Sequence, residues 1–299
     1  MFTKNIRIGI IGSDSSHALA FSKLANLKDE QDRELQNVCV TAIWGMDREK
    51  TFQVAKEANI PHVVQKPEDM MEQVDAVMVV LRDGSLHCEY ALPFIKAGIP
   101  TWVDKPFAID YRQAELMVNT SREKGTILAG GSTCKYCYDV LTLQNAFKTL
   151  NSTSGVLSGY FNFPGVLNSE YGGIYFYGGH SAEILTTIFG PDVRSIKCDV
   201  HHGTLIALAK YRTFPVVINF SDAWQYYGAV YSTNKVVCRE IDISFVYRLG
   251  FVKFVEAIRL GSMIESYESF LLPVRLLNAL DESIQTGKEV FLDQCNGMR

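Results

Sequence analysis

"IRIGIIGSDSSHALA", residues 6–20, is the stretch whose reading decides the fold. A run dominated by isoleucine leads straight into Gly12, and a helical segment follows. Apolar strand, glycine turn and helix in that order is the layout that presents a helix N-terminus, with its free amides, to a phosphate. The dinucleotide-binding version of this unit uses three glycines: one for the tight turn, one for backbone approach to the pyrophosphate, one for close helix–strand packing. Gly12 fills the first place, whereas Asp14 and His17 occupy the second and third. A carboxylate at the second place repels a diphosphate, against a helix-end attraction of only about 0.3–2 kcal/mol. Ser13, Ser15 and Ser16 offer hydroxyl donors in compensation, and Asp14 has the alternative of turning inward to cap the helix. Ligand contact and internal packing are both open to Asp14 and His17.

The pattern outward from this stretch alternates. Strand-like runs recur at residues 6–11, 38–43, 61–64, 75–81, 100–103 and 126–130, with amphipathic helical stretches at 85–97 and 109–124 between them. Apolar strands separated by helices imply a parallel sheet covered on both faces, with ligands bound at its carboxyl edge. The first domain, 1–130, therefore reads as a doubly wound α/β unit. After residue 131 strands follow one another at 155–163, 194–201, 204–212, 215–220 and 228–240, with helices near 180–189 and 268–286. That pattern predicts a second domain, 131–299, of α+β type with a large, mainly antiparallel sheet. Leu272, Leu276, Leu277, Leu280 and Ile284 share one face of its last helix, which stops before Gly287.

Bulk properties fit two soluble domains. The chain has 299 residues, 47% hydrophobic and 21% charged, and a net charge of −4. Without a basic run, nucleic acid and anionic membrane are not expected partners. No export signal or membrane-spanning run is seen, and the seven cysteines (39, 88, 134, 137, 198, 238 and 295) read as reduced, which suggests a cytoplasmic protein. "CKYC" at 134–137 lacks a second pair or a thioredoxin-type context, so those cysteines read as incidental. His180 and Glu183 have the spacing of a metal pair, but nothing supplies further ligands, and no metal is expected.

Four segments in order carry a resemblance: the opening unit; "LRDGSLHCEYALPFIKAGIPTWVDKPFAI" at 81–109; "GGIYFYGGHSAEILTTIFGP" at 172–191; and the ending "SYESFLLPVRLLNALDESIQTGKEV". Together they resemble the glucose-fructose oxidoreductase / inositol dehydrogenase / MocA family over nearly the whole chain. The resemblance implies an N-terminal Rossmann domain, a C-terminal domain with an open sheet, and NAD- or NADP-dependent dehydrogenase or reductase activity on a small polyol, sugar or cyclitol.

Residue by residue, the resemblance makes Lys105 the group that reaches both nicotinamide and a substrate hydroxyl, with Asp104 in place of the family's glutamate. Pro106 after it is a candidate for a cis bond. His180 matches the family's proton-transferring histidine, a role suited to a group that titrates near neutrality. Phe176 stands where many members have an aspartate four residues earlier, so the proton falls to Tyr177, Lys105 or His180 alone, with Glu183 a candidate to orient the ring. Lys135 and Tyr136 replace an Arg-aromatic pair and read as substrate-side cleft wall. Arg82, Asp83 and His87 border the cofactor, although a packing role suits His87 as well. His201 and His202, on a strand, read as surface or hinge.

At the end of the second strand the family's ribose-binding acid is replaced by Gly45. Asp47 is a substitute two residues on, Arg48 and Lys50 are candidates for a 2′-phosphate, and a helix starting at Asp47 is the third possibility. NAD and NADP both remain open. Seven aromatic residues (Tyr160, Phe161, Phe163, Tyr171, Tyr175, Phe176, Tyr177) exceed what one helix-covered sheet face needs, and an open face bearing them is an apolar patch that monomers avoid. The resemblance, to a family whose members usually pair through this sheet, implies a homodimer or homotetramer formed through the C-terminal sheet. Asp14, Gly45 and Phe176 also admit a non-catalytic, regulatory sugar- or nucleotide-binding member, and a cofactor-using lyase or epimerase is a third reading.

Overall fold

The computed structural model describes residues 5–165 and 167–292; Cys295 lies outside the described residues. In chain order the elements are β1 (Ile6–Ile11), α1 (Ser16–Asn26), β2 (Val38–Trp44), α2 (Arg48–Glu57), β3 (His62–Val63), β4 (Ala76–Val79), α3 (His87–Lys96), β5 (Thr101–Asp104), α4 (Tyr111–Lys124) and β6 (Leu128–Gly131). There follow α5 (Tyr138–Thr153), β7 (Val156–Pro164), α6 (Ile174–Phe189), β8 (Ser195–His201), β9 (Thr204–Lys210), β10 (Pro215–Ser221), β11 (Tyr227–Ser232), β12 (Val236–Glu240), α7 (Val246–Leu260), α8 (Glu268–Thr286) and β13 (Val290–Phe291).

Two compact units result. The first contains residues 1–108, 112–131 and 247–270; the second contains 109–111, 132–246 and 271–299. The chain passes into the second unit after Gly131, close to the sequence boundary at 130, but Tyr247–Phe270 returns to the first.

In the first unit six parallel strands run in the order β3-β2-β1-β4-β5-β6. The order reverses at β1, between β2 and β4, so the turns after β1 and β4 flank the crevice where doubly wound sheets bind ligands. Ile8, Ile10 and Ile11 of β1 and Val77 and Val79 of β4 are fully buried, as strands covered on both faces require. The α7 helix was not expected from the sequence, because Gly250 and its aromatic and β-branched residues weaken the helical signal. Its packing explains it: Phe251 stacks on Phe21 at 5.9 Å, and Phe254 lies 5.9 Å from Trp102. All four side chains are fully buried, each contributing about 1.5–3 kcal/mol.

The second unit holds a seven-stranded sheet, β12-β11-β7-β10-β9-β8-β13. It is mixed: β7 and β10 are parallel, and the other neighbours are antiparallel. Residues 228–240, expected as one strand, form the hairpin of β11 and β12. Phe161, Phe163, Val216, Ile218 and Phe220 join Leu276, Leu277 and Leu280 of α8 in one core, with Leu272 and Ile284 partly buried against it. The clustered aromatics do not share the open sheet face. Phe161 and Phe163 are core, Tyr171 precedes α6, and Tyr175, Phe176 and Tyr177 belong to α6, so of the seven only Tyr160 stands on that face. Among the described residues no helix is long and apolar enough to cross a membrane.

Candidate active site

In the first unit the turn after β1 is set by Gly12 at φ +109°. A Cβ there would lie 2.8 Å from Leu81 N, so only glycine lets the turn close on the end of β4. Ser15, not Asp14, caps α1, its hydroxyl accepting the His17 N–H at 3.1 Å. The Ser13 hydroxyl is buried against Thr51 Oγ1 at 2.8 Å, and Ser16 is exposed. Asp14 Oδ2 accepts the Arg82 backbone N–H at 3.1 Å, and Lys50 Nζ donates to the Asp14 carbonyl at 3.1 Å. Asp14 Oδ1 is buried with no hydrogen-bond partner among the described residues.

This turn fits a nicotinamide dinucleotide. The first glycine does its job, the carboxylate is docked on a backbone amide, and Lys50 holds the carbonyl of the same residue. The remaining acceptor, Asp14 Oδ1, suits a donor such as a ribose hydroxyl and not a phosphate oxygen.

His17 is turned into the protein. Its Nδ1 lies 2.5 Å from Asp104 Oδ2, with His17 and Asp104 only 7% and 2% exposed. Its ring meets Tyr247 at 4.8 Å and Phe21 at 6.1 Å, both edgewise. Burial opposes the charge on Asp104, yet the facing His17, with Lys105 and His87 nearby, holds its carboxyl below the ordinary value. Lys105, the next residue, is 7% exposed, and its bond to Pro106 is cis. His87 is fully buried, with Nδ1 2.7 Å from Pro106 O and Nε2 2.8 Å from Leu81 O. It thus ties the chain after Lys105 to the end of β4.

Beyond β2, Asp47 caps α2, accepting the Lys50 N–H at 3.0 Å, which is the third of the possibilities for that residue. A Cβ at Gly45 would fall 2.1 Å from Ser13 Oγ and 2.5 Å from Thr51 Oγ1. The Ser13–Thr51 pair therefore fills the space of the usual acidic side chain. Trp44, Gly45, Met46, Arg48, Thr51 and residues 63–65 line a pocket of about 290 Å³. Arg48 reaches Gln65 Oε1 at 3.0 Å across it, and Trp44 stacks on Tyr90 at 5.0 Å. Asp83 caps the short turn before α3, accepting the Ser85 N–H at 2.9 Å.

In the second unit His180 is the seventh residue of α6, not a residue at its start, because the helix begins at Ile174. Its Nδ1 is 2.7 Å from Ser132 Oγ and 3.6 Å from Cys134 Sγ, and its ring stacks on Phe163 at 5.1 Å. Glu183 acts one step removed. Its carboxylate accepts the Ser132 N–H at 2.5 Å and pairs with Lys135 Nζ at 3.0 Å, deep in the protein. Lys135 also lies over the Tyr136 ring at 5.2 Å. Phe176 packs edgewise on Tyr177 at 4.8 Å, and Tyr177 meets Trp224 at 5.9 Å. His201 and His202 meet each other at 4.3 Å, at the β8–β9 turn. Among the described residues no group of three or more His, Cys, Asp or Glu is arranged to hold a metal ion.

Ser132 is the residue that the motifs did not single out. The available signal was its place directly after the Gly130-Gly131 strand end, at the carboxyl edge of β6. The His17–Asp104 contact had no local signal, since 87 positions separate the partners.

Comparison with known proteins bears on the fold that carries these residues. The chain is 21% identical over 217 residues to scyllo-inositol 2-dehydrogenase (NADP(+)) IolU of Bacillus subtilis (strain 168), covering 72% of this chain and 58% of that protein's length. It thus spans less than two thirds of that relative. The scyllo-inositol dehydrogenase of Lactobacillus casei, solved with NAD(H) and scyllo-inositol, superposes with a TM-score of 0.82 at 14% identity, covering 97% of this chain and 100% of that one. A probable dehydrogenase from Thermotoga maritima gives a TM-score of 0.80 at 16% identity, covering 97% and 99%. These structures share the fold. The model of the oxidoreductase family with an NAD-binding Rossmann fold, GFO_IDH_MocA, matches residues 6–132.

Proposed function

We propose that the protein is an NADP-preferring dehydrogenase acting on a cyclitol of the inositol type. The observation that carries this reading is Lys105, a lysine buried at the carboxyl end of a parallel strand directly after Asp104, whose carboxyl is held below its ordinary value. A buried lysine is costly unless it is paired or used, and this one stands on the ligand-binding edge of its sheet. The names of the relatives supply the substrate class.

When bound, the nicotinamide supplies or accepts the hydride. Lys105 donates a hydrogen bond to the substrate oxygen and favours its anionic character as the carbonyl forms. His180 takes the hydroxyl proton. Ser132 holds Nδ1, so the exchange belongs to Nε2, and stacking on Phe163 fixes the ring plane. Tyr177 and the paired Lys135 act as substrate-side wall, with Tyr136 beside them. The preference for NADP rests on Gly45, which has no room for a ribose-binding carboxylate, and on Asp47, which is spent as a helix cap. Arg48 is the cation available to a 2′-phosphate.

A second copy of the chain completes the proposal. The face of the second sheet opposite the core carries Tyr160, Ile206, Leu208, Val217, Tyr227 and Tyr231, half-buried or exposed. An apolar face of this kind supports a homodimer, or a homotetramer built from it.

The test is to mix the protein with NADP⁺ and each inositol isomer and follow reduced nicotinamide. Turnover with at least one isomer, faster with NADP⁺ than with NAD⁺, is expected. Dinucleotide binding without turnover on any cyclitol or sugar would overturn the substrate assignment.

A further inference from the structure

The glycine fingerprint and the strand-end lysine are separate motifs in the sequence, yet one side chain joins them. His17 lies in the first turn of α1, directly behind the dinucleotide turn, where the fingerprint has a glycine for close packing. Its ring reaches β5, where Nδ1 lies 2.5 Å from the Asp104 carboxylate. Asp104 is the residue before Lys105, the last of β5, and Trp102 Nε1 approaches its other oxygen at 3.5 Å. The imidazole is itself held edgewise by Tyr247 and Phe21. His17 is therefore locked in place at both ends, between the turn that would carry the pyrophosphate and the backbone that carries Lys105.

We propose that His17 is a positioning residue for Lys105, acting through the Asp104 carboxylate, so that the dinucleotide turn and the lysine are set as one rigid piece. The proposal deepens the functional reading above and rests on it for the role of Lys105. Physically it follows from the geometry of a strand end. Lys105 directly follows the last residue of β5, and the backbone before it is held by Asp104 in register with Gly131. Fixing the Asp104 side chain removes the rotation that would let the following residue wander. Misplacement of a reacting group by about 1 Å costs on the order of a hundredfold in rate.

Two substitutions separate positioning from packing. His17→Asn keeps an N–H donor close to the place of Nδ1 but loses most of the ring. His17→Phe keeps the ring against Tyr247 and Phe21 but loses the donor. With scyllo-inositol and NADP⁺ as probes, His17→Phe should lower kcat by about tenfold or more with the NADPH dissociation constant within about threefold. His17→Asn should stay within about threefold of the wild type in both. A role in filling space alone predicts the opposite order, because the ring supplies the buried area.

Hydrogen exchange of the Lys105 and Phe107 amides in the cofactor-free protein gives a readout independent of activity. Exchange should quicken in His17→Phe and stay slow in His17→Asn. Unchanged exchange in His17→Phe, or Asn behaving worse than Phe, overturns the proposal. If the wild type binds neither NADPH nor NADH, the functional reading fails, while the exchange data still decide whether the brace exists.

Discussion

His17 and Asp104 occupy two positions at which this chain departs from the pattern it resembles, and they touch each other. The imidazole stands where a glycine is usual, the shorter acid where a glutamate is usual, and their 2.5 Å contact is buried. Two departures that look like separate damage to a binding motif are one physical unit. An aspartate is one methylene shorter than a glutamate, and the histidine supplies the reach.

Removing one partner of a buried pair leaves the other uncompensated, so Asp104→Asn should lower stability at neutral pH by about 3 kcal/mol. The pH dependence has a definite sign. Asp104 has its carboxyl held below the ordinary value in the folded protein. Its contribution is therefore complete above the unfolded value of about 3.9 and is lost as pH falls through the folded value. Urea unfolding of wild type and variant should show a steady gap near neutrality that narrows below about pH 4. A gap that grows on acidification would contradict this account of the pair.

Gly12→Ala should cost about 2 kcal/mol or more, because φ is +109° and the new methyl would meet the Leu81 backbone. Dinucleotide binding should fall with it, since the turn after β1 must open. Thermal unfolding with and without NADPH checks both. A variant of unchanged stability that still gains from NADPH would show that the tight turn is not required.

The second strand end offers a specificity test. Gly45→Asp, the change that would restore a ribose-binding acid, should destabilise the protein without producing NAD preference, because its Cβ would collide with Ser13 and Thr51. Arg48→Ala should weaken NADPH by about tenfold, or about 1.4 kcal/mol, and leave NADH nearly unchanged. Equal losses for the two cofactors would remove Arg48 from the 2′-phosphate.

For the open sheet face, Ile206→Glu with Tyr231→Glu should leave a folded monomer where the wild type is a dimer or larger. Light scattering and circular dichroism together report it. A wild type that is itself monomeric would refute assembly through this face.

Much of this architecture was legible because it repeats. Buried strands covered on both faces produce mostly apolar runs, and β1, β2 and β4 stand out on that ground. The α8 stripe was visible for the same reason, since Leu276, Leu277 and Leu280 recur at helical spacing in the core. Helix α7 was not visible, because Phe251 and Phe254 earn their helical state from Phe21 and Trp102, far away in sequence. The site divided in the same way. Lys105 and His180 lie in local motifs and could be singled out, whereas Ser132, which holds His180, and His17, which holds Asp104, act through contacts 48 and 87 residues apart. The role of Asp14 was undecidable from sequence because a carboxylate beside Gly12 has several possible partners, and only folding brings the Arg82 amide to it.

The central claim is that the turn behind Gly12 receives a nicotinamide dinucleotide despite Asp14. Titrating the wild-type protein with NADPH and with NADH, and following nicotinamide fluorescence, tests it most directly. Saturable binding of both, tighter for NADPH and weakened in Gly12→Ala, is the predicted result. Absence of any saturable signal with either nucleotide, from a protein shown to be folded, would contradict it.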